Sequence, residues 1–263
     1  MSYVISESDI LIEGKNYEGS LSARMQHEDG RPYHTFRTAT VLVNGDRVKF
    51  RNCRFANTAG SGREVGQAVA LYLDGDDIVL EDCVLEGHQD TLFLAPLPPH
   101  EYQKDGFLGP GQFTPRTRRT VSLKNCKISG GVDFVFGGAT AYFDSCEFVS
   151  VEEGYVFAPS TPEDVQTGFV VRNCRFTAAA DVKKESCYIA RPWREFAKVR
   201  LEHCYLGEHI HKNGFDDWGK IEAHGSVVFE EADSVQERRA QSDRTMCGFK
   251  PENNNVGRKR RED

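Results

Sequence analysis

Six short segments of the chain alternate apolar and polar residues and end in a cysteine. A period of two is typical of a half-buried β-strand. The segments are DRVKFRNC, DIVLEDC, TVSLKNC, AYFDSC, FVVRNC and KVRLEHC, and they end at Cys53, Cys83, Cys126, Cys146, Cys174 and Cys204. The shortest spacing between these cysteines, 20 residues, is about one turn of a three-sided parallel solenoid, and the longer spacings add loops.

A second set of short apolar runs lies between the cysteine segments. The runs are QAVAL from Gln67, DTLFL from Asp90, DFVFG from Asp133, YVFA from Tyr155 and YIAR from Tyr188. Uninterrupted runs of this length suit parallel strands that are covered on both faces, and a helical period is nowhere sustained. The pattern predicts an all-β protein, a right-handed parallel β-helix over residues 1–232, followed by a charged C-terminal tail over residues 233–263.

The eight cysteines are best interpreted through their place in this repeat. Six of them share one repeat position that faces the packed interior, which favours a stack of reduced thiols. Disulfides between coils are the less favoured alternative. No CxxC or HxxxH spacing occurs, so we expect no metal site, and nothing in the sequence calls for an organic cofactor.

The charge balance narrows the choice of partners and of compartment. The net charge of -7, from 33 basic and 40 acidic residues, offers no basic surface for nucleic acid, and the GRKRRED ending is more simply a solvated tail than a nuclear-import signal. No run of 18 apolar residues occurs, so no membrane association is expected. The start, MSYVISESDILIEG, lacks an export pattern, and reduced cysteines suit a cytoplasmic protein.

Two aspartates recur at one position of successive repeats. Asp90 and Asp133 are 43 residues apart, as are the ladder cysteines Cys83 and Cys126. Equivalent positions of stacked repeats are spatial neighbours, so the two carboxyl groups should lie about 4.8 Å apart, one strand spacing. Like charges at that distance rarely both ionise at neutral pH, and one carboxyl group is pushed towards keeping its proton. The repeat therefore predicts an acid beside a base.

Residues near the aspartates in the repeat could complete a catalytic site. Glutamine amides, here Gln67 and Gln89, can donate hydrogen bonds to an oxyanion. Arg191 can hold one carboxylate ionised through a bidentate contact, and the face of Trp193 suits a sugar ring. Two carboxylates about 5 Å apart would also fit a retaining glycosidase. The repeat alone leaves open which aspartate is the nucleophile.

Four motifs in the expected order resemble those of the pectin methylesterases, carbohydrate esterase family 8: GQAVAL, GHQDTLF, VDFVFGGATAYF and ARPWREFAK. The similarity extends from about Thr35 to about His224 and is closest to the bacterial branch without a signal peptide. It implies a right-handed β-helix that hydrolyses methyl esters of galacturonate in pectin or methylated oligogalacturonides. A pectin lyase or glycoside hydrolase on the same fold, or a non-catalytic carbohydrate-binding β-helix, remains the alternative.

The resemblance also assigns roles to individual residues. Asp133 matches the nucleophile, and Asp90 matches the residue that acts first as general acid and then as base. Gln67 and Gln89 match the oxyanion donors, and Arg191 matches the arginine that hydrogen-bonds the nucleophile. The aromatic lining of the sugar subsite is expected from Trp193, Phe134 and Trp218.

Two further features carry expectations. The Pro- and Gly-rich stretch Ala95–Thr117 is too long for a turn and directly follows the Asp90 segment, so it could wall off one end of the substrate groove and favour short chains. An uncovered end of a β-helix invites pairing with another chain, which predicts weak self-association.

Overall fold

The computed structural model describes residues 3–236 and 242–247 of the chain, and its strands, numbered in chain order, form three parallel faces. We call the first face the site sheet. It contains β1 (Tyr3–Ile5), β4 (Val41–Val43), β7 (Leu71–Leu73), β10 (Leu92–Leu94), β13 (Val135–Gly137), β16 (Tyr155–Pro159) and β19 (Tyr188–Ala190). All pairings between neighbouring strands of this sheet are parallel.

The other two faces follow the site sheet in every coil. The second face contains β2 (Leu11–Glu13), β5 (Lys49–Arg51), β8 (Ile78–Glu81), β11 (Thr120–Lys124), β14 (Thr140–Asp144), β17 (Phe169–Arg172) and β20 (Lys198–Glu202). The third contains β3 (Asn16–Gly19), β6 (Arg54–Asn57), β9 (Val84–Glu86), β12 (Lys127–Gly130), β15 (Glu147–Ser150), β18 (Arg175–Ala178) and β21 (Tyr205–Leu206). The prediction of a right-handed parallel β-helix is confirmed.

Helical segments are short and lie between coils. The α-helix α1 covers Gly62–Val65, and two 3-10 turns cover Thr35–Arg37 and Ile221–Gly225. No helix in the described residues is long and apolar enough to cross a membrane.

The end of the β-helix differs from the sequence-based boundary at residue 232. Strand β22 (Val228–Gln236) runs through that boundary, pairing first with β20 and then with β21. Strand β23 (Ser242–Cys247) then pairs with β22 in the antiparallel sense. The buried positions of β22 continue past residue 232, at Ser234 and Gln236, so the sheet takes in the first part of the predicted tail. The stretch 248–263 lies outside the described residues.

A left-handed residue sets the bend between the second and third faces in six coils. The residue before each ladder cysteine has a φ between 51° and 56°: Asn52, Asp82, Asn125, Ser145, Asn173 and His203. Short polar side chains tolerate this conformation best, and most of these positions carry one. Each bend turns the following cysteine into the interior. The recurrent pair of a short polar residue and cysteine is therefore the corner of the coil.

The interior is a continuous apolar stack that runs the length of the helix. The seven cysteines of residues 3–236 are all buried, and none of them forms a disulfide. Six of these thiols donate to main-chain carbonyls of neighbouring coils, for example from Cys126 Sγ to the Leu80 carbonyl at 3.6 Å. Phenylalanines stack beside them, with Phe148 and Phe176 ring centroids 5.1 Å apart. This rigid stack fixes the positions of residues on the site sheet.

Candidate active site

The two aspartates of the repeat lie side by side and line one cavity at the site sheet. Leu92 of β10 pairs with Val135 of β13, so Asp90 and Asp133, each two residues earlier, are at the same level of adjacent coils. Both have a left-handed backbone, with φ of 65° and 51°. They precede their strands rather than opening them as the sequence pattern predicted. Aspartate tolerates this conformation better than most residues, and such backbone strain is often found at functional sites.

The surroundings of Asp90 and Asp133 give the two carboxyl groups different protonation states. Each residue is only 7% exposed. Burial raises the pKa of Asp90 well above its usual value, and the nearby charge of Asp133 raises it further. Burial also raises the pKa of Asp133, but there the hydrogen bonds and the charge of Arg191 oppose the rise. A proton held by the pair therefore resides on Asp90, and Asp133 is the carboxylate.

Two nitrogens of the Arg191 guanidinium group donate hydrogen bonds to the Asp133 carboxylate. Nε donates to Oδ1 at 2.8 Å and Nη2 donates to Oδ2 at 2.6 Å, a bidentate contact. The guanidinium is also held between two aromatic rings, 3.9 Å from the Tyr155 centroid and 3.7 Å from the Trp218 centroid. With its plane fixed from both sides, Arg191 orients the Asp133 carboxylate. Tyr155 is at the level of Asp133 one coil on, a register that the sequence pattern indicated without assigning the residue a role.

The side chains of Gln67 and Gln89 reach the same cavity. Neither side-chain amide has a hydrogen-bond partner within residues 3–236, so both are available to a ligand. The sequence pattern aligned Gln67 with Asp90, but the pairing of Leu71 with Leu92 puts Val69 at that level. Gln67 lies two residues before Val69, in the chain that precedes strand β7, and its side chain reaches the cavity from there.

The position of Gln89 is fixed by tight packing and by a half-buried polar cluster. A Cβ on Gly62 would lie 2.5 Å from Gln89 Oε1, so glycine at this point of α1 makes room for the amide. The Glu152 carboxylate accepts hydrogen bonds from Ser61 Oγ at 2.7 Å and pairs with His88 Nδ1 at 3.2 Å. Glu152 thereby ties the start of α1 to the residue next to Gln89.

Of the three aromatic residues predicted to line the cavity, the prediction for Phe134 is wrong. Phe134 has no exposed surface and belongs to the core, since the left-handed bend at Asp133 turns the next side chain into the interior. Phe136, two residues later, lines the cavity instead. Trp193 and Trp218 do line it, Trp193 with its ring 5.7 Å from that of Phe136. Seven of the eight residues singled out from the sequence thus meet at one cavity of about 350 Å³.

The opposite wall comes from the long segment between β10 and β11. Tyr102, Gln103 and Phe107 of this segment line the cavity. Phe107 is 6% exposed and its ring centroid lies 6.4 Å from that of Trp193. The sequence pointed to the segment, but its residues could not be placed because no repeat register extends into a loop.

A lysine missed in the sequence lies behind the aromatic rings. Lys220 donates through Nζ to the carbonyls of Pro192 at 2.6 Å and Trp193 at 2.9 Å, and its Nζ is 4.1 Å from the Trp218 centroid. Burial, with smaller contributions from the charges of Arg194 and Arg191, lowers the pKa of Lys220 to about 8. It fixes the RPWR segment and the Trp218 ring that covers Arg191.

Potential metal ligands do not gather around this cavity. Among the described residues, no group of three or more His, Cys, Asp or Glu side chains is placed to hold an ion. The lack of a cofactor requirement stays a prediction.

One family model matches most of the chain. The family model described as Pectinesterase matches residues 6–98 and 116–256. The chain belongs to the pectinesterase family. The match begins before and ends after the region of similarity seen in the motifs, and it includes β22 and β23. Between its two parts it skips residues 99–115, which supply most of the segment that forms the opposite wall of the cavity.

A curated relative is similar in sequence to the chain, and two solved structures share its fold. It is 33% identical over 207 residues to "Putative pectinesterase/pectinesterase inhibitor 43" of Arabidopsis thaliana, covering 75% of this chain and 26% of that protein. A pectin methylesterase solved in complex with a hexasaccharide superimposes with a TM-score of 0.72 at 24% identity, covering 92% of this chain and 79% of that one. The Aspergillus niger pectin methylesterase gives 0.69 at 25% identity, covering 92% and 77%.

Proposed function

We propose that this chain is a pectinesterase that hydrolyses the methyl esters of galacturonate residues in pectin or methylated oligogalacturonides. The observation that carries the proposal is the pair of unlike carboxyl groups. The bidentate contact with Arg191 keeps Asp133 as a carboxylate, while the buried Asp90 beside it keeps a proton. Two unpartnered glutamine amides open into the same cavity, as the hydrolysis of an ester requires.

Each group then has a step in the reaction. Asp133 attacks the ester carbonyl carbon, and the oxygen that becomes negative accepts hydrogen bonds from Gln89 and Gln67. When the intermediate collapses, the bond to the methoxy oxygen breaks, and Asp90 gives its proton to the departing methanol. Asp133 is left joined to the sugar as an acid anhydride.

The second half of the reaction restores the enzyme. Asp90, now a carboxylate, takes a proton from a water molecule that attacks the carbonyl carbon of the anhydride. The bond to Asp133 breaks, the sugar leaves with a free carboxyl group, and Asp90 again carries a proton. Arg191 keeps the expelled Asp133 carboxylate ionised and in place throughout.

Three assays on the same pectin test the activity class. Methanol release without new reducing ends and without absorbance from unsaturated products is expected for an esterase. Unsaturated products would identify a lyase, and reducing ends without methanol would identify a glycoside hydrolase. An unchanged substrate in all three assays would leave only a carbohydrate-binding role.

We further propose that the natural substrate is a short, partly methylated oligogalacturonide and that the enzyme is cytoplasmic. Tyr102 and Phe107 of the long segment form one wall of the cavity, and the seven free, buried cysteines of residues 3–236 suit a reducing compartment. A kcat/KM for high-methoxyl polymer well above that for methylated trimers to pentamers would contradict the first point. Recovery of the native protein outside intact cells would contradict the second. The absence of nucleic-acid partners and the weak self-association remain predictions.

A further inference from the structure

Arg191 and Lys220 both lie against the ring of Trp218. The Arg191 Cζ is 3.7 Å from the ring centroid, and the Lys220 Nζ is 4.1 Å from it. Trp218 is 40% exposed and has a left-handed backbone with a φ of 55°, a rare conformation for a bulky residue. A hydrogen bond of 2.7 Å from its N–H to Asp216 Oδ1 holds the main chain, and the contacts with the two cations hold the exposed ring. The ring that covers Arg191 is thus held by Lys220 as well.

The Lys220 ammonium group has a fixed position but no close anion. Its Nζ donates to the carbonyls of Pro192 at 2.6 Å and Trp193 at 2.9 Å, the two residues that follow Arg191 in the chain. On its other side the Tyr102 ring centroid lies 5.9 Å away. In the described part of the chain, no carboxylate forms an ion pair with Lys220. Its positive charge therefore acts on the groups of the site around it.

Two guanidinium groups and two carboxylates act on Lys220 through their charges. Burial lowers the pKa of Lys220 to about 8, and the charges of Arg194 and Arg191 add to this effect. The charges of Asp133 and Glu222 act in the opposite direction. Lys220 is therefore positively charged throughout the acidic range in which carboxyl groups titrate.

The effect of Lys220 on Asp133 is the reciprocal of this interaction. Burial raises the pKa of Asp133, and the hydrogen bonds and charge of Arg191 oppose the rise. The charge of Lys220 opposes it further. Asp90 and Tyr155 also face Asp133, but the pKa of each is raised, so both keep their protons in the acidic range. Lys220 is thus a second cation, besides Arg191, that favours the ionised nucleophile.

Resting on the proposed function, we propose that Lys220 is a positioning residue that holds the aromatic ring over Arg191 and helps to keep Asp133 ionised. Lys220 is not among the residues that line the cavity, so it acts through the ring and through its charge rather than by touching the substrate. The lysine and the arginine together offset the cost of burying the carboxylate that attacks the ester.

Substitution can remove the charge of Lys220 while keeping a hydrogen-bond donor. Lys220→Gln has an amide donor for the carbonyls but no charge, whereas Lys220→Arg keeps both. The acidic limb of kcat/KM should move to higher pH in Lys220→Gln and stay in place in Lys220→Arg. The move should be smaller than in Arg191→Ala, because Arg191 supplies hydrogen bonds as well as charge. Lys198→Gln is the matched control and should leave the limb in place, since this half-buried lysine of β20 donates to the Val165 carbonyl at 2.8 Å.

A titration of the carboxyl group itself separates this inference from the activity. With isotopically labelled aspartate, the carboxyl carbon signal that disappears in Asp133→Asn identifies the nucleophile, and NMR follows it with pH. The lower of the two apparent pKa values of the Asp90–Asp133 pair should rise in Lys220→Gln. It should not rise in Lys220→Arg or in Lys198→Gln.

Each outcome of these two experiments decides the role of Lys220. A rate that falls equally at every pH, with an unmoved limb and titration in a folded Lys220→Gln, would show that Lys220 only supports the chain and would overturn the inference. Methanol release by the wild type would still support the proposed function in that case. A raised titration in Lys220→Gln, together with a wild type that releases no methanol from any substrate, would support the inference and contradict the proposed function. If Lys220→Gln does not fold, Lys220→Met, which keeps an unbranched apolar stem, decides by the same titration.

Discussion

Replacing Asp90 by asparagine should abolish the activity and at the same time stabilise the fold at neutral pH. Burial, and then the charge of Asp133, raises the pKa of Asp90 well above its usual value. The folded protein therefore holds a proton that the unfolded chain releases near pH 4. The free energy of unfolding consequently falls as the pH rises above that point, until the folded pKa is passed.

The size of the effect follows from the same linkage. Each unit by which the folded pKa exceeds the unfolded one costs about 1.4 kcal/mol of stability at a pH above both values. Asparagine cannot ionise, so the Asp90→Asn variant does not lose this stability. Asparagine also tolerates the left-handed backbone at φ 65° as well as aspartate does. The variant should thus be more stable than wild type at pH 7, and the difference should shrink towards pH 3. Its turnover should fall by roughly 10³-fold or more, since it can neither protonate methanol nor activate water.

Two measurements on the same samples check this reasoning. Denaturant unfolding between pH 3 and pH 8 gives the stability difference, and methanol release gives the activity. Asp181→Asn, at an exposed aspartate, is the control and should change neither. An Asp90→Asn protein that is less stable than wild type at pH 7 would show that Asp90 stabilises the fold as a carboxylate. Near-normal turnover would remove it from the mechanism.

Three other outcomes are expected. Arg191→Ala removes the groups that oppose the pKa rise of Asp133, so the acidic limb of the pH–rate profile should move to higher pH; a limb that stays in place would show that Arg191 does not control the ionisation of Asp133. Gln89→Ala should lower kcat by about 10²–10³-fold if it supplies one oxyanion donor, with little change in melting temperature. Treatment with EDTA should leave methanol release unchanged, and a loss restored by one specific ion would contradict the metal-free mechanism.

The fold was predictable because one local backbone feature recurs in almost every coil. A short polar residue in the left-handed conformation, followed by a buried cysteine, marks the corner between two faces, and both residue types are visible in the sequence. The boundary at residue 232 could not be found in this way, because the corner of β22 is Asp233, with a φ of 54°, and the buried residue after it is Ser234 instead of a cysteine. The cysteine pattern ends there although β22 goes on to pair with the third face.

The site was predictable as far as strand register reaches. Asp90, Asp133 and Tyr155 are at the same level of successive coils, so a repeat spacing read from the sequence places them together. The same reasoning fails one residue after a left-handed bend, because the alternation of inward and outward side chains restarts there. The resemblance implied that Phe134 lines the sugar subsite, but this restart turns its side chain into the core, and Phe136 has the outward position instead.

The rest of the site is formed by a loop, and no strand register fixes the positions of its residues. The segment between β10 and β11 packs against the site sheet through Phe107 and is held by the carbonyl contacts of Arg116. Neither contact follows from periodicity, so sequence could indicate that the loop matters but not which side chains it presents. The coil supplies the aspartates and the loop supplies Tyr102, so the paired carboxyl groups and this wall of the cavity lie on separate structural elements. A change in the loop would therefore reshape the cavity while the coil that holds the aspartates stays constant.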